Sequence, residues 1–189
     1  MKADIDIDLA DRQTLLKLLP HRAARTQHDQ IHSTGIYVTE IPWDPVLNCA
    51  AIDHVTAQQR GYVKIDLLNM HVYSLVRNQQ HYQQLLNQEP DWSALCNHSM
   101  NQQLVHVGNY TSLLKDMQPD SVIRLAALLS VIRPGKAHLQ RQPWHTVLCQ
   151  VWDGDSSRGF VFKRSHAVAY AHLVVLHWNI LTDLANQNK

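Results

Sequence analysis

A chain of 189 residues, 45% of them hydrophobic, suits one domain or two small, intimately packed ones and has ample material for a core. A formal net charge of +1 excludes a protein that grips nucleic acid by bulk charge alone. Three scattered cysteines, Cys49, Cys96 and Cys149, lack any paired spacing, which argues for a reducing compartment, no disulfides and burial as small hydrophobes. The most apolar run, 167–176, is too short to span a bilayer, and the acidic amino terminus does not read as a signal peptide. A cytoplasmic protein with no membrane partner is expected.

The first predicted element is a strand over Ala3–Leu9. Alternation places Asp4, Asp6 and Asp8 on one face and Ile5, Ile7 and Leu9 on the other. Like charges so arranged repel, and a hard divalent cation on that face would relieve them. The competing reading is an edge strand kept soluble by its aspartates. A helix over 11–19 follows, stopped by Pro20, and the polar, His-rich residues 20–34 read as a loop. Gly35–Ile41 is a β-prone run closed by Pro42, and a weaker strand is expected over 50–56. Gly61–Leu68 is a further strand, with Lys64 and Asp66 sharing a face. If it lies beside the first strand, its carboxylate joins theirs, and such a group holding two metals suits in-line phosphoryl transfer.

Beyond residue 67 helical signals dominate. Short helices are expected over 71–78 and 79–87, then a break at Glu89-Pro90 with Asp91 placed to cap the next helix. Another covers 109–117 with Asn109 as its cap. Val122, Leu125, Ala126, Leu129 and Ile132 recur at helical spacing, and Arg133-Pro134-Gly135 is a stop. A helix over 143–152, a loop over 153–159 and a terminal helix from Ser165 to about Leu184 complete the chain. Trp92, Trp144, Trp152 and Trp178 read as packing residues rather than base-stacking platforms. His28 and His32 are four apart, yet no convergent ligand set supports zinc. Arg133, Lys136, Arg141, Arg158, Lys163 and Arg164 form a basic flank to the acidic start, which suits a nucleotidyltransferase and equally a solvated face with no ligand.

Five segments, in order, resemble one family. Ala3 to Asp8 matches a Pro-Asp-x-Asp-x-Asp/Asn strand, and His32-Ser33-Thr34-Gly35-Ile36-Tyr37-Val38 is similar to a His-Ala-x-Gly-Val-Val-Ile segment. Val63-Lys64-Ile65-Asp66-Leu67-Leu68-Asn69 resembles a Val-Lys-Phe-Asp-x-Leu-Gly strand. Pro119-Asp120 through Arg133-Pro134-Gly135 follows a Pro-Asp to Arg-Pro-Gly run without a gap. Phe162-Lys163-Arg164-Ser165-His166-Ala167-Val168-Ala169-Tyr170-Ala171 is similar to a Phe-Asn-Lys-Ser-His-x-Ala-Ala-Tyr-Ala block. These are motifs of the bacterial replicative DNA polymerase III alpha subunits, the C-family polymerases.

The resemblance implies an α+β fold: a small mixed palm-like sheet of polymerase-beta-type nucleotidyltransferase topology over 1–67, then a helical fingers-like part over 68–189. Residues 10–31 would be a thumb remnant or loop. It implies DNA-directed DNA polymerisation, with Asp4, Asp6 and Asp66 holding Mg²⁺ (or Mn²⁺) and Lys64 neutralising the incoming triphosphate, a salt bridge to Asp66 that only relieves repulsion being the plainer alternative for Lys64. Arg133 would approach the nucleotide from the fingers, although an arginine there can also satisfy helix-terminal carbonyls. Arg164, Ser165 and His166 stand at a helix start that favours an anion, with capping by Ser165 as the plainer alternative. His32 stands open between site and scaffold. The implied partners are primer-template DNA, deoxynucleoside triphosphates and another replication protein or polymerase subunit. The family's Gly-Ser phosphate-contacting motif has no counterpart here, and there is little room for a thumb, which favours one piece of a split polymerase over a minimal core. The alternative is a non-catalytic nucleic-acid-binding or replisome-interaction protein on the same scaffold. A third reading is metal-dependent transfer onto another substrate.

Overall fold

The computed structural model describes residues 5–154 and 159–187, in two compact units, Met1–Leu75 and Val76–Lys189. The fold is mixed α+β, with a small mixed sheet and helices.

In the first unit, β1 (Ile5–Leu9), α1 (Arg12–Leu18), β2 (Arg22–Arg25), β3 (Ile31–Tyr37), β4 (Trp43–Asp44), β5 (Cys49–Ala50), α2 (His54–Gln59) and β6 (Ile65–Asn69) follow in order. Four strands form a sheet in the order β1-β6-β3-β2. β1 runs parallel to β6, while β3 is antiparallel to both β6 and β2. α1 starts as expected at Asp11, whose carboxylate accepts the Gln13 N–H (2.9 Å) and the Thr14 hydroxyl (2.7 Å).

The expected loop over 20–34 is instead mostly a hairpin, β2 and the start of β3, around a turn closed by Thr26 N–H to Gln30 O at 2.8 Å. Its Arg-Ala-Ala-Arg strand has little β propensity of its own. Pairing with β3 and burial of Ala24 decide it. The strand expected over 50–56 is also corrected. Cys49–Ala50 pairs with β4, Asp53 makes a single bridge to Arg25, and Asp53 then opens α2 by accepting from the N–H groups of Val55 and Thr56. A good cap outweighs the β-branched residues there. The unit's small core gathers Ala24, Tyr37, Ile41, Ala50 and Ala57.

In the second unit, α3 (Gln79–Asn87), α4 (Trp92–Asn97), α5 (Thr111–Met117), α6 (Val122–Val131), α7 (Trp144–Gln150) and α8 (Arg164–Gln187) are joined by short 3-10 turns, including Pro134–Leu139. α6 is buried continuously from Leu125 to Val131, and α8 packs against it, adding Ala167, Ala171, Val174 and Trp178 to the same core. Asn78, Asp91 and Ser121 cap their helices by side-chain bonds. The amide of Asn179, fully buried on α8, donates to Leu85 O and Gln88 O at 2.9 Å, closing the carboxy-terminal end of α3.

Several boundaries differ from expectation: the strand expected over Gly35–Ile41 is β3, Ile31–Tyr37, and that expected over Gly61–Leu68 is β6, Ile65–Asn69, with Lys64 just before it. Residues 71–75 form a 3-10 turn of the first unit rather than an α-helix reaching 78. Asn109 lies inside the 3-10 turn Gly108–Tyr110, so α5 begins at Thr111 without a side-chain cap. The terminal helix begins one residue early, at Arg164. Cys49 and Cys96 are buried as expected, but Cys149 is exposed. No helix among the described residues is long and apolar enough to cross a membrane.

Candidate functional site

The parallel register of β1 and β6 sets Asp6 opposite Asp66, and Gly35 of β3 opposite Asp66 on its other side. Neighbouring strands lie about 4.8 Å apart, and paired residues share a face, so the two carboxylates stand in one row. Asp8 is next along β1. Burial, then the charge of Asp6, raises its pKa above the ordinary carboxylate value.

Asp66 is held firmly. Its Oδ1 accepts the Thr34 hydroxyl at 2.7 Å, its Oδ2 pairs with Lys64 Nζ, and His32 Nδ1 lies 3.8 Å from Oδ1. His32 Nδ1 also accepts the Gly35 N–H at 3.0 Å, which leaves the ring proton on Nε2. Burial lowers the His32 pKa first, and Lys64 lowers it further against the opposing pull of Asp66. The residues therefore keep His32 neutral and a donor through Nε2.

Gly35 makes this crowding possible. A Cβ there would lie 2.8 Å from Lys64 Cδ and 3.1 Å from both Ala24 Cβ and His32 Nδ1. Two further residues join the group without having been singled out in the sequence. His54 sets its ring edge-on to His32 at 5.5 Å, and Arg12 donates through Nη1 to Ser33 O. His54 was hidden by the strand expected over its segment. Arg12 sits in an ordinary amphipathic helix and carries no local signal.

Asp4 lies outside the described residues. Among the described residues no group of three or more His, Cys, Asp or Glu side chains is gathered to hold a metal ion. The donor chemistry nevertheless fits a hard divalent ion, because Asp6 and Asp66 offer carboxylate oxygens from adjacent in-register positions. Lys64 takes one of the Asp66 oxygens.

The remaining expected residues belong to the second unit. The Arg133 guanidinium lies over the Phe162 ring at 4.6 Å, and the His166 ring meets Phe162 edge-on at 6.3 Å. Tyr170 touches Phe162 at 5.5 Å and His106 at 4.3 Å. Burial and the Arg133 charge lower the His106 pKa. Arg133 and His166 are thus brought together around the Phe162 ring, and His106, unforeseen, joins them by way of Tyr170. Arg164 turns elsewhere, over Trp152 at 5.7 Å, and Ser165 is exposed in the first turn of α8. Trp92 and Trp144 pack half-buried against the core and Trp178 is buried, as expected. Trp152 packs there too and also lines a pocket of about 510 Å³ with Phe160, Phe162, Lys163 and Arg164.

Set beside models of known protein families, curated proteins and solved structures, the chain matches none of them.

Proposed function

We propose that this chain performs metal-dependent nucleotidyl transfer on primed DNA, as one piece of a split C-family polymerase or as a minimal core. The observation that carries the reading is the register of Asp6 against Asp66, with Lys64 on the same face as the second carboxylate. The mixed β1-β6-β3-β2 sheet supports a palm-like role for the first unit. The five motif resemblances supply the substrate class.

Asp6 and Asp66, with Asp4 by resemblance, would hold Mg²⁺ or Mn²⁺. When bound, the ion supplies Lewis-acid activation of the primer 3′-hydroxyl and charge neutralisation at the pyrophosphate. Thr34 orients Asp66 through its hydroxyl. Lys64 exchanges its partner, moving from Asp66 to the triphosphate of the incoming nucleotide. His32, protonated at Nε2, donates a neutral hydrogen bond to a phosphate oxygen. Arg133, Arg164, Ser165 and His166 provide anion contacts on the second unit. The working complex is cytoplasmic and includes a further replication protein or polymerase subunit.

The test is Mg²⁺-dependent nucleotide incorporation on a primer-template, with Asp6→Asn and Asp66→Asn in parallel and any chain that copurifies with this one supplied. Incorporation that persists in either variant overturns the assignment. A second reading has one observation in its favour: both Asp66 oxygens are already engaged, by Lys64 and Thr34. That is how a non-catalytic nucleic-acid-binding or replisome scaffold would keep the motif. Transfer that needs no primer-template would point to the third reading, another acceptor substrate.

A further inference from the structure

The segment 159–162 is pinned at both ends of its course. Gly135 N–H donates to Phe160 O at 3.1 Å, and a Cβ at Gly135 would meet Val161 Cγ2 at 2.7 Å and Phe160 O at 2.9 Å. The glycine of the Arg-Pro-Gly stop is therefore what lets this segment pass so close. At its far end Phe162 is 7% exposed, held under the Arg133 guanidinium. The Phe160 side chain is nonetheless left 65% exposed, its ring 6.2 Å from that of Phe162. An aromatic side chain so exposed on a fixed segment has a hydrophobic cost with no return inside the unit.

Its surroundings state what would cover it. Phe160 lines the pocket of about 510 Å³ together with Trp152, Lys163 and Arg164. Both basic residues are exposed, and Arg164 is steadied by stacking over Trp152. The volume falls within the range of small-ligand sites. A flat apolar ring beside two cations is the pairing that single-stranded nucleic acid requires: a face for a base and positive charge for the phosphates on either side. An acidic peptide would use the cations but leave Phe160 without a flat partner.

The geometry points to a single-strand binding site in this pocket, in which an unpaired base stacks on Phe160 and its flanking phosphates meet Lys163 and Arg164. The inference rests on the nucleic-acid part of the reading above and adds the class of strand and the place of contact. Trp152 stands in the pocket wall as a built-in reporter.

The experiment titrates the full chain with fluorescein-labelled oligothymidylate of about twelve nucleotides, a length suited to one such site, reading anisotropy and tryptophan fluorescence. Oligothymidylate should bind and quench the fluorescence, and Trp152→Phe should remove the quench. Phe160→Ala should weaken binding roughly 5- to 100-fold without moving the denaturation midpoint, and Phe160→Tyr should restore it. Arg164→Gln should lower the salt slope by about 0.7, one single-strand phosphate contact. Four results would each overturn the site: unchanged binding by Phe160→Ala, equal affinity for an abasic strand, equal affinity for duplex, or equal competition by polyglutamate. Saturation of the quench by thymidine triphosphate alone would overturn the strand assignment. Oligothymidylate binding without incorporation sinks the transfer reading alone; incorporation with Phe160→Ala binding unchanged sinks this inference alone.

Discussion

Lys64 lays its stem across the backbone of β3 at Gly35, so closely that a methyl group there would come within 2.8 Å of Cδ. The same contact lets its ammonium reach Asp66. Gly35→Ala should therefore overpack a buried spot and cost about 1–3 kcal/mol of stability. Urea denaturation of the two proteins checks it. An unchanged midpoint would mean that Lys64 swings away freely and that the close approach has no energetic role.

The two in-register carboxylates should respond differently to amide substitution. Asp6 is exposed, so Asp6→Asn should shift stability by no more than about 0.5 kcal/mol. Asp66 is half-buried and bound to Lys64, so Asp66→Asn should cost about 1 kcal/mol or more by leaving that ammonium without its counter-charge. Both should weaken Mn²⁺ binding, measured by the relaxation of solvent water. Undiminished Mn²⁺ affinity in both variants would remove the carboxylates from the metal site.

Acid should loosen the protein through its depressed histidines. His32 and His106 both titrate below the ordinary value of 6.5, chiefly because burial disfavours the imidazolium. The unfolded chain then binds more protons than the folded one as pH falls through 6.5, so stability is complete above that pH and declines below it. Denaturation midpoints should fall as the buffer is taken from neutral to mildly acidic pH, and His32→Gln should flatten part of the decline. A decline of the same size in His32→Gln and in His106→Gln would assign it to other groups.

Thiol chemistry should separate the cysteines cleanly. Burial pushes the Cys96 thiol up to about 11, with Asp120 adding to the rise, and burial raises Cys49 as well. Only the exposed Cys149 should react with a maleimide in the native protein, and all three should react in denaturant. Mass spectrometry of the labelled chain decides this. Native labelling at Cys96 would show that the core around α4 opens readily.

The legible parts of the sequence were those where local chemistry and tertiary demand agree. The strand at Ile5–Leu9, the Asp11 and Asp91 caps and the apolar period of α6 appear as expected because one short stretch carries its own signal, although Ile5 and Ile7 stay exposed rather than forming a buried face. β2 escaped because Arg22–Arg25 becomes a strand through its neighbour, not through its composition. α2 escaped because a single capping carboxylate at Asp53 outweighs the β-branched residues around it. At the candidate site, the Lys64–Asp66 pair lies two residues apart and could be read directly. His54, Arg12 and His106 reach their places through the chain path, as side chains brought in from separate elements.

The Asn179 amide closes α3 from a helix that follows it by some ninety residues, which ties the timing of folding to synthesis. While the chain emerges from the ribosome, the carbonyls of Leu85 and Gln88 have only water to bond. α6, apolar over a continuous stretch, likewise waits for the face of α8 that covers it. The second unit thus completes its interior only when α8 docks, after its first helices have been exposed for seconds at ordinary elongation rates. A chaperone that shields nascent apolar helices would meet this protein during that interval, and a release at any codon before Asn179 would leave α3 with an open end.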